Sequence, residues 1–302
     1  DVDLPEPGSV WDMLLAVVPS NVFSSLASFD LLPVIFFSIL FGIFLLLVDA
    51  KKREPVEGFF EGVFEVMMKM TLFVIALSPI GIAALIARLV ATTGVEVFAS
   101  LFGYALTVAG ALAIHFLLVL PLLFWLITKR NPFVVMKAMS PALLTAFSTA
   151  SSAGTLAITM ERTEHGVGVS NRVAGFVLPL GATVNMDGTA LYECVAVLFV
   201  AQLYAYMNPD FVLTFGMQLI IVALALMVSI GAAGIPHAGL VMMVIIFEAV
   251  GLPLELIALL WAVDRPLDMC RTMVNVWSDS LGATAIGLTE KDVDLSKVFI
   301  RP

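Results

Sequence analysis

The sequence is short of charge. Asp, Glu, Lys and Arg together make up 13% of the 302 residues, whereas a soluble domain carries about 25%, and this excludes a soluble enzyme. Basic residues are the scarcer sign, 15 against 24 acidic for a net charge of -9. Nucleic acid is excluded as a partner, because phosphate binding needs clustered Lys and Arg. Cysteine occurs twice, and Cys194 and Cys270 lie in apolar stretches without metal-ligand spacing, which gives neither a disulfide framework nor a zinc site. Asp1 to Ser20 has no basic region followed by an apolar run, so it is no signal peptide. A start at Asp1 reads as a fragment or a processed product.

Apolar residues are what the chain has in abundance, 61% with a mean hydropathy of +1.06. At roughly 20 apolar residues per span, it holds several membrane helices, and the segments between them are too short for a separate catalytic domain. The expected class is an all-α integral membrane protein. Basic blocks at Lys51, Lys52 and Arg53, at Lys129, Arg130 and Lys137, at Arg162 and Arg172, and at Lys291, Lys297 and Arg301 are expected on the cytoplasmic side. Leu31 to Val48 then runs inward, Phe59 to Val90 outward and Val97 to Thr128 inward again.

From there the pattern changes. Phe133 to Met160 starts and ends beside cytoplasmic basic blocks around the small polar run Ser148 to Thr155, which predicts a hairpin that returns to the side it entered from. Irregular backbone at membrane depth is tolerated only where protein or a water-filled cavity satisfies it, so the tip implies a buried site. Val173 to Met207 is interrupted at Asn185, Met186, Asp187, Gly188 and Thr189, poor helix formers among them, and reads as two half-helices with an unwound joint. No Lys or Arg occurs between Val173 and Asp264. Phe211 to Val250, broken by Gly231, Gly234, Pro236 and Gly239, reads as a second hairpin from the outer side, and about Leu254 to Ile286 as a final inward helix. Hairpin, broken helix, hairpin, helix in two opposed orientations is the pattern of inverted-repeat secondary transporters.

The last helix carries the chemistry. Asp264, Asp268, Arg271, Asn275 and Asp279 follow at spacings that keep all five within an arc of about 80° at roughly 100° per residue. Each ionisable group in a span costs about 2.5 to 3.5 kcal/mol on insertion scales, and such groups face a pathway or a bundle interior. Asp187, Asp264, Asp268 and Asp279 stand against Arg265 and Arg271, leaving about two uncompensated negatives that protons or bound cations must neutralise. Sodium suits carboxylate, amide and carbonyl oxygens. The planar fork of Arg271 suits a carboxylate, and Asp268 an ammonium, a pairing that fits an acidic amino acid.

Four strings, Ser151 to Thr155 (SSAGT), Asn185 to Thr189 (NMDGT), Ser229 to Gly239 (SIGAAGIPHAG) and Asp268 to Asp279 (DMCRTMVNVWSD), together resemble the dicarboxylate/amino acid:cation symporters, the glutamate transporter family. The resemblance runs from about Pro19 onward. It implies sodium-coupled symport of glutamate or aspartate across the inner (plasma) membrane, by homotrimers in which each protomer moves its own transport domain like an elevator against a scaffold. It implies scaffold and trimerisation helices over 1–90, a transport-domain helix over 91–131 and the transport core over 132–287. That core comprises hairpin 132–163, broken helix 167–207, hairpin 211–250 and last helix 254–287, with a cytoplasmic tail over 288–302. By resemblance Thr189, Asp268, Arg271, Thr272 and Asn275 contact substrate, with Asp268 on the amino group, Arg271 on the side-chain carboxylate and Asn275 on the main carboxylate. Backbone at Ser151, Ser152, Ile235 and Gly239 lines the hairpin tips. Gly181, Asn185, Asn275 and Asp279 form one sodium site, Thr183 and Met186 with carbonyls of Ser229, Ile230 and Ala232 another, and Asp187 with Asn185 a third.

Two departures stand out. Family members carry three further helices before the segment near Pro19, so this chain is expected not to transport by itself. The positions where relatives place a second arginine are Ala150 and Met269, with Arg265 as the candidate substitute, which leaves potassium counter-transport open. Proton-coupled carriage of dicarboxylates is the runner-up, because it does not need Asp268 to hold an ammonium. An intramembrane aspartyl protease using Asp187 and Asp268 leaves Arg271 unexplained. His115 reads as hydrogen-bonded packing, His237 at the second tip as replaceable, Gly58 and Gly62 as a weak packing pattern, and Lys69 and Arg88 as snorkelling or paired.

Overall fold

The computed structural model describes residues 18–27, 31–93, 97–230, 232, 234 and 236–294. Helix is the dominant element, and the β-structure among the described residues is one isolated antiparallel bridge, Val169 to Val293. Two stretches, Leu101–Thr128 and Asn171–Met207, are long and apolar enough to cross a membrane. The chain divides into two compact units, Asp1–Ala87 and Arg88–Pro302.

The first unit contains α1 (Val22–Ala27), α2 (Leu31–Leu46) and most of α3 (Ala50–Thr93). Asn21 accepts from the N–H groups of Phe23 and Ser24 and so starts α1. The carbonyl of Asp49 accepts from Lys52 and Arg53 at the start of α3. Phe37, Phe41 and Phe60 form a ring cluster with centroids 6.0 and 5.6 Å apart, while Phe44, Leu47, Phe59 and Phe64 remain exposed. Apolar exposure on this scale belongs to a helix that meets lipid or another protein surface. Lys69 pairs with Glu65 at 2.9 Å.

The second unit is built around its last helix. Its elements are α4 (Val97–Ile114), α5 (Leu120–Thr128), α6 (Pro132–Thr149), α7 (Ser152–Glu161), α8 (Asn171–Val184), α9 (Asp187–Met207), α10 (Phe215–Ser229), α11 (Ala238–Ala249) and α12 (Ile257–Thr289). Helix α12 packs against each of the others except α10. Between α4 and α5 the helix widens to a π turn over His115–Val119. In that register the carbonyl of Phe116 would look to residue 121, which is Pro121 and has no N–H. The indole N–H of Trp277 on α12 donates to it instead, at 3.1 Å.

Helices α6 and α7 form an antiparallel pair. Arg162 donates from Nε to the Ala138 carbonyl at 3.2 Å, Thr163 to the Met139 sulfur at 3.6 Å, and the hydroxyls of Thr149 and Thr155 meet at 3.2 Å. Asn131 caps α6 by accepting from Phe133 N–H, and Pro132 takes the first turn, where no donor is needed. The turn closes on Ala150 in the left-handed region (φ 52°), after which the Ser151 hydroxyl caps α7 by accepting from Gly154 N–H at 3.0 Å. Helices α10 and α11 pack on each other, with Thr214 capping α10. Gly231 and Ile235, between them, lie outside the described residues.

The loop between α10 and α11 touches the turn between α6 and α7. The Gly234 carbonyl accepts from the Ser151 hydroxyl at 2.6 Å and from Ala153 N–H at 3.2 Å. A Cβ on Gly234 would stand 2.8 Å from the Ala153 nitrogen and 3.2 Å from the Ala182 carbonyl oxygen, so only glycine allows the approach. At the opposite end of the unit, Asp292 accepts from the Ser170 hydroxyl at 2.6 Å and from Arg172 at 3.2 Å, joining the entry of α8 to the exit of α12.

Gly234→Ala is expected to separate the two turns at a cost of about 1 to 3 kcal/mol, the range for overpacking. Gly282→Ala, where a Cβ meets open space, is the control. Thermal unfolding in lipid nanodiscs checks this, and equal melting temperatures for both variants contradict it.

Candidate functional site

The interruption expected over Asn185 to Thr189 is shorter in the structure. Asn185 and Met186 leave the helix, while Asp187, Gly188 and Thr189 already form the first turn of α9. The reason is local: an acidic residue in a first turn complements the positive end of the helix dipole. At the joint, Asn185 N–H still donates to the Gly181 carbonyl at 2.9 Å, and its side chain reaches α12.

All five residues of the α12 stripe are buried, at 1 to 4% exposure, and Thr272 beside them is at 1%. Arg271 donates from Nε to Asp268 Oδ1 at 2.9 Å and from a terminal nitrogen to the same oxygen. Its other terminal nitrogen donates to the Thr189 hydroxyl at 2.5 Å, and Asn275 Nδ2 donates to that same hydroxyl at 3.0 Å. The Asn275 side-chain oxygen Oδ1 accepts from Gly188 N–H at 2.8 Å. One hydroxyl and one backbone amide at the start of α9 thus tie the second half-helix to the charged stripe. A Cβ on Gly188 would meet the Arg271 carbonyl at 2.7 Å and Asn275 Oδ1 at 2.8 Å.

A second cluster sits one turn further along. Asn185 Nδ2 donates to Asp279 Oδ1 and to the Ser278 hydroxyl, both at 2.9 Å. A Cβ on Gly181 would be 2.7 Å from Asp279 Cγ. Gly181, Asn185 and Asp279 are therefore brought together, with Asn275 one turn back on α12. The sulfur of Met186 lies 3.5 Å from the Thr189 hydroxyl and 3.8 Å from Asn275 Nδ2. Thr183 turns its hydroxyl back to the Leu180 carbonyl at 3.0 Å. Ser229 and Ala232 are buried and Ile230 is exposed at the end of α10. Asp187 pairs through Oδ2 with His115 Nε2 at 2.7 Å, and its buried Oδ1 has no partner among the described residues. His115 is thus hydrogen-bonded, as its sequence reading held.

Around the tips, Ser152 is buried and Ser151 is half-buried. Gly239 lies against the Tyr192 ring, its Cβ position 3.2 Å from Cδ1. Ile235 lies outside the described residues. One expectation needs correction: Arg265 is exposed. It follows Asp264 by one residue, about 100° around the helix, and points off the buried face, so it offsets none of the stripe's charge.

Three residues were missed or undervalued. His237, in the left-handed region (φ 62°), donates its backbone N–H to Asp268 Oδ2 at 2.9 Å, and its ring Nδ1 lies 2.5 Å from Asp264 Oδ2. Tyr192 donates its hydroxyl to Asp264 Oδ1 at 2.6 Å. Glu193 is fully buried, and neither carboxylate oxygen has a hydrogen-bond partner among the described residues. A charged residue in an otherwise apolar span was itself a signal, and the charge count passed over it.

Chemically, the arrangement offers a buried guanidinium beside a buried carboxylate, with a hydroxyl and an amide between them and further carboxylates one turn away. A helical membrane protein with a dry, charged site beside a broken helix is the class that this defines. The sodium:dicarboxylate symporter family matches residues 2–288. The chain belongs to that family. Excitatory amino acid transporter 2 of Mus musculus is 45% identical over 269 residues, covering 88% of this chain and 46% of the relative. Excitatory amino acid transporter 1 of Homo sapiens is 42% identical over 277 residues, covering 89% and 50%. The chain thus spans about half the length of the curated relatives it matches.

Gly181→Ala is expected to push the Asp279 carboxylate out of reach of Asn185 and to lower the melting temperature. Asp279→Asn in the same background removes the charge and should restore little of the loss if sterics is the cause. A Gly181→Ala chain that melts like wild type contradicts the close packing of the two residues.

Proposed function

We propose that this chain carries the substrate and ion sites of a secondary active symporter that moves acidic amino acids, glutamate or aspartate, with sodium across the plasma membrane. The observation that carries the reading is the buried Arg271, held between Asp268 and Thr189. A guanidinium in a dry site is costly unless it serves a partner, and its planar fork is suited to a second carboxylate. Asp268 would take the ammonium, Arg271 the side-chain carboxylate, and Asn275, Thr189 and Thr272 the main carboxylate and the walls. Backbone at Ser151, Ser152, Ile235 and Gly239 would close the tips over it.

Sodium fits the oxygen-rich clusters: Gly181, Asn185, Asn275 and Asp279; Thr183 and Met186 with Ser229, Ile230 and Ala232; and Asp187 with Asn185. An acidic amino acid adds negative charge to a site that already holds Asp187, Asp264, Asp268 and Asp279, so cation and substrate should bind together. Homotrimeric assembly, re-entrant hairpins and an elevator movement of 91–287 against 1–90 complete the reading, which is that of a transporter and not of an enzyme. Proton coupling is the second reading, favoured by Glu193, a buried carboxylate without a hydrogen-bond donor among the described residues.

Arg271→Cys is expected to weaken aspartate binding by roughly two to four decades, corresponding to about 3 to 5 kcal/mol for one partner of a buried charged pair. Calorimetric titration of the complete transporter measures it, and near-normal affinity sinks the assignment. Aspartate affinity should also rise steeply with sodium at fixed pH, with Asp279→Asn and Asp187→Asn each flattening the rise. An affinity that ignores sodium, follows pH and loses that dependence in Glu193→Gln would hand the coupling to protons.

A further inference from the structure

Asp264, at one end of the α12 stripe, is given no substrate or sodium ligand above, yet it is buried at 1% exposure with both oxygens engaged. One oxygen accepts from the Tyr192 hydroxyl at 2.6 Å and the other faces His237 Nδ1 at 2.5 Å. Asp268 stands one turn further on, its Oδ1 taken by Arg271 and its Oδ2 turned to the His237 backbone. One ligand atom from each of His237, Asp264 and Asp268 lies within 4.8 Å of the others, and all three residues are buried. We propose that these three side chains form a binding site for a divalent transition-metal ion of the zinc type, which ties the loop between α10 and α11 to α12.

The donor set selects the ion. Imidazole nitrogen with carboxylate oxygens suits zinc, nickel or cobalt, whereas sodium and other hard cations prefer an all-oxygen shell. Zinc bonds of about 2.0 to 2.1 Å hold ligand atoms about 3.3 Å apart in a tetrahedron. The ligand atoms, within 4.8 Å of one another, must therefore close by at most about 1.5 Å while the His237 to Asp264 contact opens from 2.5 Å. Three protein ligands leave a fourth position open, the coordination typical of exchangeable zinc. The outer support is already built: Tyr192 orients Asp264, and the His237 ring lies tilted at 35° against Trp261 with centroids 5.0 Å apart. Asp264 and Asp268 supply two negative charges against the divalent ion, with Asp268 also paired to Arg271. His237 is the one ligand outside α12, so the metal spans two elements of the fold. If the proposed function holds, an ion on Asp268 competes with the substrate ammonium, making zinc an inhibitor.

The test is titration of the full chain in lipid nanodiscs with zinc ion, with cobalt(II) as the spectroscopic substitute whose visible bands report the ligand set. Wild type should bind one ion. His237→Gln should weaken binding by about 100-fold or more and Tyr192→Phe by about 10-fold, the range seen when metal-site support is removed. Asp264→Asn should change the cobalt spectrum even where affinity is partly kept. Saturating aspartate in sodium should weaken zinc binding, and zinc should weaken aspartate binding by the same factor. Zinc bound with equal affinity by wild type and His237→Gln overturns the proposal. So does a wild-type chain that binds aspartate in sodium but no zinc. A chain that binds zinc through His237 and never binds aspartate keeps the metal site and removes the transporter reading.

Discussion

The Asp268 to Arg271 pair is the interaction on which the rest of the second unit depends. Both groups are nearly fully buried, and two charges taken out of water are stable only when every remaining donor and acceptor is satisfied. That requirement recruits neighbours. The Thr189 hydroxyl accepts from the arginine and from Asn275, which binds the start of α9, and the His237 amide donates to Asp268 and binds the loop before α11. The break between α8 and α9 follows from the same demand. A continuous helix would keep the Gly188 N–H within its own ladder, whereas the break frees it for the Asn275 side chain.

Glycine supplies the precision. At Gly181, Gly188 and Gly234 a Cβ would collide with the Asp279 carboxylate, with the Arg271 carbonyl and Asn275 side chain, and with Ala153 respectively. Each glycine marks a place where backbone takes the position a side chain would fill elsewhere. The site is formed from main chain pressed against charged groups on one helix, so its geometry is fixed by packing and not by long, mobile side chains.

What could be read from the sequence was what spacing encodes. The α12 stripe repeats with the helical period, and burial of all five members followed from their shared face. The polar tip at Ser151 and the joint at Asn185 were legible from small and poor helix-forming residues in apolar surroundings. Contacts across long separations were not legible: nothing in the spacing links His237 to Asp264, or Tyr192 to the same carboxylate, because those pairs depend on how α9, α11 and α12 converge. Arg265 shows the opposite error. It was counted by its proximity in sequence to Asp264, although one residue of separation turns a side chain to a different face. The joint was read as five residues long and is two, since Asp187 stabilises the helix start that its composition seemed to forbid.

The charge balance then sets a limit on how the site can work. With Arg265 outside, Arg271 is the one permanent cation on the buried face of α12, against Asp264, Asp268 and Asp279, and Glu193 adds a fourth carboxylate nearby on α9. Low local dielectric makes this surplus costly unless cations offset it. Protons, metal ions and the ammonium of a ligand are the species that can relieve it, and they compete for the same oxygens. Asp264 and Asp268 share His237 on one side, while Asp279 shares Asn185 with the helix joint on the other. A cation at either end changes the electrostatic cost of filling the other, so coupling between bound species follows from the surplus itself and needs no separate relay between the two ends.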